Sequence, residues 1–82
     1  MDITEIQKKI IPEIKEILGK EPESISLIEK TDKGWKIHCD VLEKKSVPET
    51  YDLLKIFEFR VDDQIKITGF NQLRKVRRGD LG

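Results

Sequence analysis

Apolar residues change their spacing once along this chain, and that change limits the folds open to it. In residues 3–18 they recur every three or four positions, which places them on one face of a helix. In residues 35–43 apolar and polar residues alternate instead, as they do along a strand with one buried face. The sequence therefore predicts an N-terminal helix followed by β-strands.

The helix is expected over residues 3–19. Thr4 followed three residues later by Gln7 resembles a capping box, and Gly19 is a natural stop because glycine tolerates the left-handed conformation beyond a helix end. Pro12 lies inside the segment, so either the helix kinks just before it or the main helix begins with Pro12 in its first turn. We favour one kinked helix, because the apolar stripe continues across the proline. The stripe consists of Ile3, Ile6, Ile10, Ile14, Ile17 and Leu18.

Four strands are predicted, over residues 24–31, 35–43, 51–61 and 65–77. Gly34 suits the turn between the first two strands, and a slip of the alternation at Gly69 indicates a bulge in the last. Sequential strands joined by short links pair antiparallel, and the helix must bury its stripe on one face of the resulting sheet. The expected fold is α+β, one domain over residues 1–82 in which the helix packs across a curved antiparallel sheet of three to four strands.

The aromatic residues and their neighbours on the strands supply the expected core. It consists of Trp35, Ile37, Phe57, Phe59 and Phe70. Trp35 has a second interpretation, since an aromatic ring beside a turn could present part of its surface to a partner.

Charged residues are numerous but unevenly placed. They form 39% of the chain, and the formal net charge is zero. Residues 21–64 carry eleven acids and seven bases, whereas residues 65–82 carry one acid and five bases. The basic end could attract an acidic protein, a nucleic acid or the chain's own acidic middle.

The sequence favours a cytoplasmic protein with no membrane contact. No apolar run approaches the ~20 residues that are needed to cross a bilayer. The N-terminus lacks the basic and then apolar order of a secretory signal. The single cysteine, Cys39, fits a reducing compartment.

The residues that could carry chemistry do not combine into a site. His38 and Cys39 are neighbours on a predicted strand, so their side chains point to opposite faces and cannot ligate one metal ion. The alternation along the predicted strand also places Cys39 on the buried face, which argues against a role as a catalytic nucleophile. Asp62 and Asp63 fall in a predicted turn, where aspartate is common for backbone reasons. We expect no catalytic residue, no metal site, no cofactor and no enzyme activity.

The sharpest functional candidate is a basic cluster near the C-terminus, formed by Arg74, Lys75, Arg77 and Arg78. Three interpretations stay open: a solvated charge run, a contact with an acidic protein surface, or a contact with nucleic-acid phosphates. Against nucleic acid, the cations are confined to one end, the overall charge is neutral and no aromatic residues are interleaved for stacking.

Four short motifs in order along the chain resemble the gas vesicle protein O family. Residues 32–37 read DKGWKI and are similar to its D-x-G-W-[KR]-[IV]. Residues 46–54 read SVPETYDLL and are similar to its [IV]-P-[DE]-T-x-D-[VL]-[LI] signature. Residues 57–59 stand where the family has an aromatic-Glu-Val strand, and residues 69–79 match its G-[YF] followed by a basic tail. The likeness covers residues 19–79.

This resemblance implies a non-enzymatic accessory protein that is required for the assembly of gas vesicles, which are protein-walled buoyancy compartments. The implied partners are other gas vesicle proteins, including the AAA-type ATPase often encoded beside family members. We expect such partners to contact the basic cluster together with Pro48, Thr50 and Asp52. The alternatives are a small nucleic-acid-binding or regulatory module that uses the same cluster, and an inhibitory or sensor domain. The chain departs from the family pattern at residues 62–64, where a glycine is often found, and at Val76, where an aromatic residue is common.

Overall fold

The computed structural model describes residues 2–80 as a helix followed by a four-stranded antiparallel sheet. The elements are α1 (Ile3–Leu18), β1 (Ser24–Thr31), β2 (Gly34–Lys44), β3 (Leu53–Asp62) and β4 (Ile67–Arg77). The described residues also include two single 3-10 turns, at Glu49–Tyr51 and at Arg78–Asp80. The sheet order is β1-β2-β3-β4, so every strand pairs with its neighbour in the sequence. The expected α+β arrangement is confirmed.

One continuous helix runs through Pro12 from Ile3 to Leu18. The side chain of Asp2 caps its start, because Oδ1 accepts a hydrogen bond from the Glu5 backbone N–H at 2.9 Å. The expected capping box at Thr4 is therefore wrong, since the helix begins one position before it. At the other end Gly19 adopts φ 76°, and its N–H donates to the Lys15 carbonyl at 2.8 Å, which confirms the predicted stop.

The core lies between the helix and the central strands. Ile6, Ile10 and Ile14 are fully buried and pack on the sheet face that carries Ile37, Cys39, Val41, Phe59 and Val61, and Ile65 joins them from the turn before β4. Trp35 and Phe57 are half-buried against this cluster. Phe70 is 43% exposed, although its ring stacks on Phe59 with the two centroids 5.3 Å apart.

A second apolar patch lies on the opposite face of the sheet. Leu54 and Ile56 are buried but do not belong to the cluster beneath the helix. They alternate with Phe57 and Phe59 along β3, so they point away from the helix. The cross-strand neighbours of Leu54 are Leu42 and Val76. Both faces of the sheet therefore contribute buried apolar surface.

Two bulges interrupt the pairing of β3 with β4. The register shifts between Arg60 and Val61, which leaves Thr68 as the extra residue and confirms the expected bulge beside Gly69. A second shift between Ile56 and Phe57 leaves Leu73 as the extra residue. The second bulge exchanges the faces to which the following side chains of β4 point.

Two residues with positive φ shape the turns at the end of the sheet near Trp35. Gly34 has φ 150°, and a Cβ there would lie 2.0 Å from the Val61 carbonyl oxygen. Ile65 has φ 62°, an unfavourable conformation for a β-branched residue, yet its side chain is buried in the core. The turn around Ile65 is held by Asp62, whose Oδ1 accepts hydrogen bonds from the N–H groups of Gln64 and Lys66 at 2.8 and 3.0 Å.

Within the described residues, α1 is too short and too polar to cross a membrane.

Candidate protein-docking surface

Two segments that the sequence singled out separately meet at one end of the sheet. The turn at Glu49–Tyr51, which follows Pro48, packs against the turn at Arg78–Asp80, which follows β4. The approach is close, because a Cβ on Gly79 would lie 3.2 Å from the Thr50 carbonyl oxygen. The fold therefore brings the Pro48 motif and the basic cluster together.

Asp52 is the buried anchor of this end. The residue is 2% exposed, and Oδ1 accepts a hydrogen bond from the Ser46 N–H at 2.7 Å. Oδ2 accepts two hydrogen bonds from Arg78, from Nε at 3.2 Å and from Nη2 at 3.1 Å. The Ser46 N–H and then the Arg78 guanidinium outweigh burial and lower the pKa of Asp52. A carboxylate held in this way stabilises the fold and is not free to contact a partner.

Arg78 joins three separate parts of the chain. Besides Asp52, its Nη2 donates to Oε2 of Glu23 at 2.6 Å, and its backbone N–H donates to the Asp52 carbonyl at 2.9 Å. The hydrogen bonds to Glu23 and to Asp52 raise the pKa of Arg78 above its ordinary value. Arg78 therefore acts as an internal brace between the segment before β1, the start of β3 and the end of β4.

Lys75 is also partly compensated within the chain. Oε1 of Glu43 lies 3.2 Å from Nζ of Lys75 and 3.3 Å from Nζ of Lys55. Partial burial pushes the pKa of Glu43 upward, but its hydrogen bonds to Lys75 and Lys55 outweigh this and lower the pKa overall. The two lysines share one carboxylate, so a net positive charge remains at this point.

Arg74 and Arg77 are the members of the basic cluster that face solvent without an acidic neighbour. Within residues 2–80, the side chain of Arg74 makes no hydrogen bond and no ion pair, whereas its backbone is paired with β3 opposite Ile56. Arg77 donates from Nη1 to the Tyr51 carbonyl at 2.9 Å, and its guanidinium carbon lies 6.0 Å from the centroid of the Tyr51 ring. These two side chains, with the excess charge of Lys75 and Lys55, supply the accessible positive charge.

The sequence analysis predicted Pro48 and Thr50 as contact residues but missed the two exposed apolar residues that flank them, Val47 and Tyr51. Val47 is 97% exposed and Tyr51 is 53% exposed, and the exposed residues Pro48 and Thr50 lie between them. The alternation had placed Tyr51 inside a strand, whereas the structure places it in the turn that begins after Pro48, where its N–H donates to the Pro48 carbonyl at 3.0 Å. We define the docking surface as Val47, Pro48, Thr50, Tyr51, Arg74 and Arg77.

His38 and Cys39 lie on opposite faces of β2, as the strand phase predicts. Nε2 of His38 lies 3.0 Å from Oε1 of Glu58, its cross-strand neighbour, and this contact is the main reason that the pKa of Glu58 is lowered. Cys39 is fully buried, and burial, together with the nearby charge of Asp40, raises its pKa to about 12. Within residues 2–80, no three His, Cys, Asp or Glu residues are grouped in a way that could hold a metal ion.

A groove of about 650 Å³ lies at the other end of the sheet, beside Trp35. Its walls include Lys33, Lys36, Asp32 and Asp62, and Nζ of Lys30 lies 5.0 Å from the centroid of the Trp35 ring. Because the walls carry both signs of charge, this groove does not favour a partner of either sign.

Comparisons with known proteins identify the relatives of the chain. The family described as gas vesicle synthesis protein GvpO matches residues 1–82. Gas vesicle protein O of Streptomyces sp. (strain CB03234) is 36% identical over 67 residues, which cover 82% of this chain and 52% of the relative. Gas vesicle protein O1 of Halobacterium salinarum is 32% identical over 66 residues, covering 80% of this chain and 56% of the relative.

Gas vesicle protein O of Haloferax mediterranei is 35% identical over 68 residues, covering 82% of this chain and 49% of the relative. The chain thus spans about half the length of the curated relatives that it matches. No solved structure matches it. The match over all 82 residues, together with three relatives named gas vesicle protein O or O1, confirms the resemblance seen in the motifs, and the chain belongs to the gas vesicle synthesis protein GvpO family.

Proposed function

We propose that this protein acts in the formation of gas vesicles by binding other gas vesicle proteins, and that it catalyses no reaction. The observation that carries the proposal is that the exposed residues Val47 and Tyr51 lie with Arg77 at one braced end of the sheet, while Arg74 adds positive charge on the other face of β4. The proposed partners include the AAA-type ATPase often encoded beside family members, and the proposed location is the cytoplasm. Family membership supports the role in vesicle formation.

The composition of the docking surface is typical of a protein contact. Aromatic residues and arginine are enriched among the residues that dominate binding energy at interfaces. Here Tyr51 lies beneath the guanidinium of Arg77, and Val47, in the same connection between β2 and β3, is almost fully exposed. Arg74 and Arg77 add a positive charge that would guide an acidic partner.

The brace supports the same interpretation. Asp52 and Arg78 tie the Pro48 turn to the end of β4, so the docking surface is held in one arrangement before a partner arrives. A surface that is ordered in advance loses less conformational entropy on binding than a flexible one.

The test compares two variants that remove the same charge in cells that form gas vesicles. The first variant combines Arg74→Gln and Arg77→Gln with Val47→Ser and leaves the brace residue Arg78 in place. The matched control combines Lys8→Gln and Lys9→Gln, two exposed lysines of α1.

Both purified proteins should keep the circular dichroism spectrum and the Tm of the unsubstituted chain. Electron microscopy and cell buoyancy should then show that the docking variant forms few or no vesicles while the control forms them normally. Normal vesicles in cells that carry the folded docking variant would contradict the proposal.

A further inference from the structure

We infer that the outer edge of β4 receives an acidic, extended segment of a partner protein as an additional strand of the sheet. This inference deepens the proposed function and rests on it, since it names how the partner is held and what chemistry the partner offers.

The edge itself provides the backbone template. β4 lies at the end of the strand order and pairs with β3 on one side only. On its other side no strand lies within residues 2–80. An open edge presents N–H and C=O groups that an extended peptide can pair with. With 11 residues, β4 is long enough to hold such a segment over several hydrogen bonds.

Charge distinguishes this edge from the opposite one. Residues 64–79 contain five bases and no acid, and three of the bases, Arg74, Lys75 and Arg77, lie on β4. The opposite edge strand, β1, carries Glu29 and Lys30, whose charges cancel. Only β4 therefore favours a partner segment of one sign.

The bulge at Leu73 places cations on both faces of the edge. Arg74 is opposite Ile56 and points away from the helix, whereas Lys75 is opposite Lys55 and Arg77 is opposite Leu53, on the helix side. A strand laid along β4 would therefore meet positive charge on both of its own faces. Acidic residues in the partner segment would find a cation whichever face they occupy.

Two exposed apolar side chains define the rest of the partner. Phe70 and Leu73 are both partly exposed and lie on opposite faces of β4 on the N-terminal side of Arg74. A segment in which acidic and apolar residues alternate would match this arrangement, because neighbouring strands place their side chains side by side.

A second copy of the chain fits the edge less well. Antiparallel pairing over the full length of β4 would set Arg74, Lys75 and Arg77 of one copy opposite residues 67–70 of the other, which carry no acid to compensate them. The occupant that the charges select is therefore a different, acidic chain.

The test uses the full chain and synthetic peptides of about eight residues. The probe alternates Glu with Val, and one control peptide alternates Lys with Val. A second control has the Glu and Val sequence of the probe, but its backbone nitrogens are methylated along both edges of the peptide strand, so that neither edge can donate hydrogen bonds to β4. Binding is measured by calorimetry at low and physiological salt, and hydrogen exchange follows the amides of β4.

We expect the acidic peptide to bind and to slow exchange at outward-facing amides of β4. The Lys peptide and the N-methylated peptide should bind about tenfold more weakly or not at all, since one lacks the charge and the other the hydrogen bonds. The double variant Arg74→Gln and Arg77→Gln should bind the acidic peptide about fivefold more weakly or worse, and the double variant Lys8→Gln and Lys9→Gln should bind it with unchanged affinity.

Equal binding of the N-methylated peptide, absence of binding by the acidic peptide, or unchanged exchange along β4 would overturn strand addition. So would tighter binding of a DNA or RNA duplex of about 20 base pairs, since the edge would then serve nucleic acid. If vesicles are lost in the docking variant while no peptide pairs with β4, the proposed function stands and this inference fails. If peptides pair with β4 but the docking variant forms vesicles, the edge binds acidic segments and the proposed function fails.

Discussion

Arg78 and Asp52, which are 26 positions apart in the chain, are joined by three hydrogen bonds at 2.9 to 3.2 Å. One runs between backbone groups and two run from the guanidinium to a single buried oxygen. Removing a buried partner in such a pair leaves the other group without compensation, which costs more than the pair contributes. We therefore expect the pair to stabilise this end of the sheet.

We expect Arg78→Gln to lower the Tm by about 5 °C or more, because the Asp52 carboxylate would remain buried without its cation. Arg74→Gln, which removes the same charge from a residue without a partner in residues 2–80, should leave the Tm unchanged. Thermal unfolding, monitored by circular dichroism, gives the Tm of both variants. Equal effects of the two substitutions would mean that Arg78 contributes only its charge.

The stability of the fold should fall in acid. Asp52, Glu43 and Glu58 each have a pKa below the ordinary value, so the unfolded chain binds protons at a higher pH than the folded chain does. Their contribution is present above the ordinary carboxyl pKa of about 4 and is lost as the pH falls through the lower folded values.

The check is the Tm measured between neutral pH and pH ~3 for the unsubstituted chain and for Asp52→Asn. The variant should be less stable at neutral pH, and its Tm should decline less on acidification. If the Tm of the two proteins declined in parallel on acidification, protonation of Asp52 would make no contribution to the pH dependence of stability.

Gly34 and Gly69 should respond very differently to alanine. At Gly34 the new Cβ would collide with the Val61 carbonyl and the backbone of Asp62, at a φ that side chains rarely adopt, so we expect a loss of more than about 2 kcal/mol. At Gly69 the nearest atom is the end of the Arg60 side chain, which can move, so Gly69→Ala should stay within about 1 kcal/mol. Urea unfolding of both variants measures the difference, and a similar loss at both sites would contradict the tight turn.

The Cys39 thiol should be inert in the folded protein. Burial keeps it protonated at neutral pH and excludes reagents, and the thiolate is the reactive form. A chromogenic disulfide reagent should therefore titrate one thiol per chain only in denaturant. In a Gln72→Cys variant, whose new thiol lies on the exposed side of β4, one thiol should react at once in native buffer. Rapid reaction of the unsubstituted native chain would show that β2 opens easily.

The arrangement of helix and sheet was predictable from the sequence because burial repeats with a period that the residues reveal. Ile6, Ile10 and Ile14 are spaced for one helix face, and Ile37 and Cys39 are spaced for one strand face. Where the period breaks, the sequence was less informative. No local sequence pattern predicts the positive φ of Ile65, because this conformation accompanies the burial of the Ile65 side chain in the core.

The docking surface was only partly predictable, because charge alone does not reveal which cations are already compensated. Arg74 and Arg78 look equivalent in the sequence, yet Arg78 is held by Glu23 and Asp52, acids that precede it by 55 and 26 positions. Tyr51 fits a strand pattern by its spacing from Leu53, but the turn after Pro48 turns it outward. These are effects of tertiary contacts, which a local pattern cannot contain.

The consecutive order of the strands in the sheet also has a bearing on synthesis. β3 leaves the ribosome before β4, so each hairpin can close as soon as its second arm appears. The cationic edge is consequently the last part of the sheet to form, on a scaffold whose other strands are already paired. A growing chain built in this order would present the strand proposed to bind an acidic partner only when the rest of the sheet can hold that strand in place.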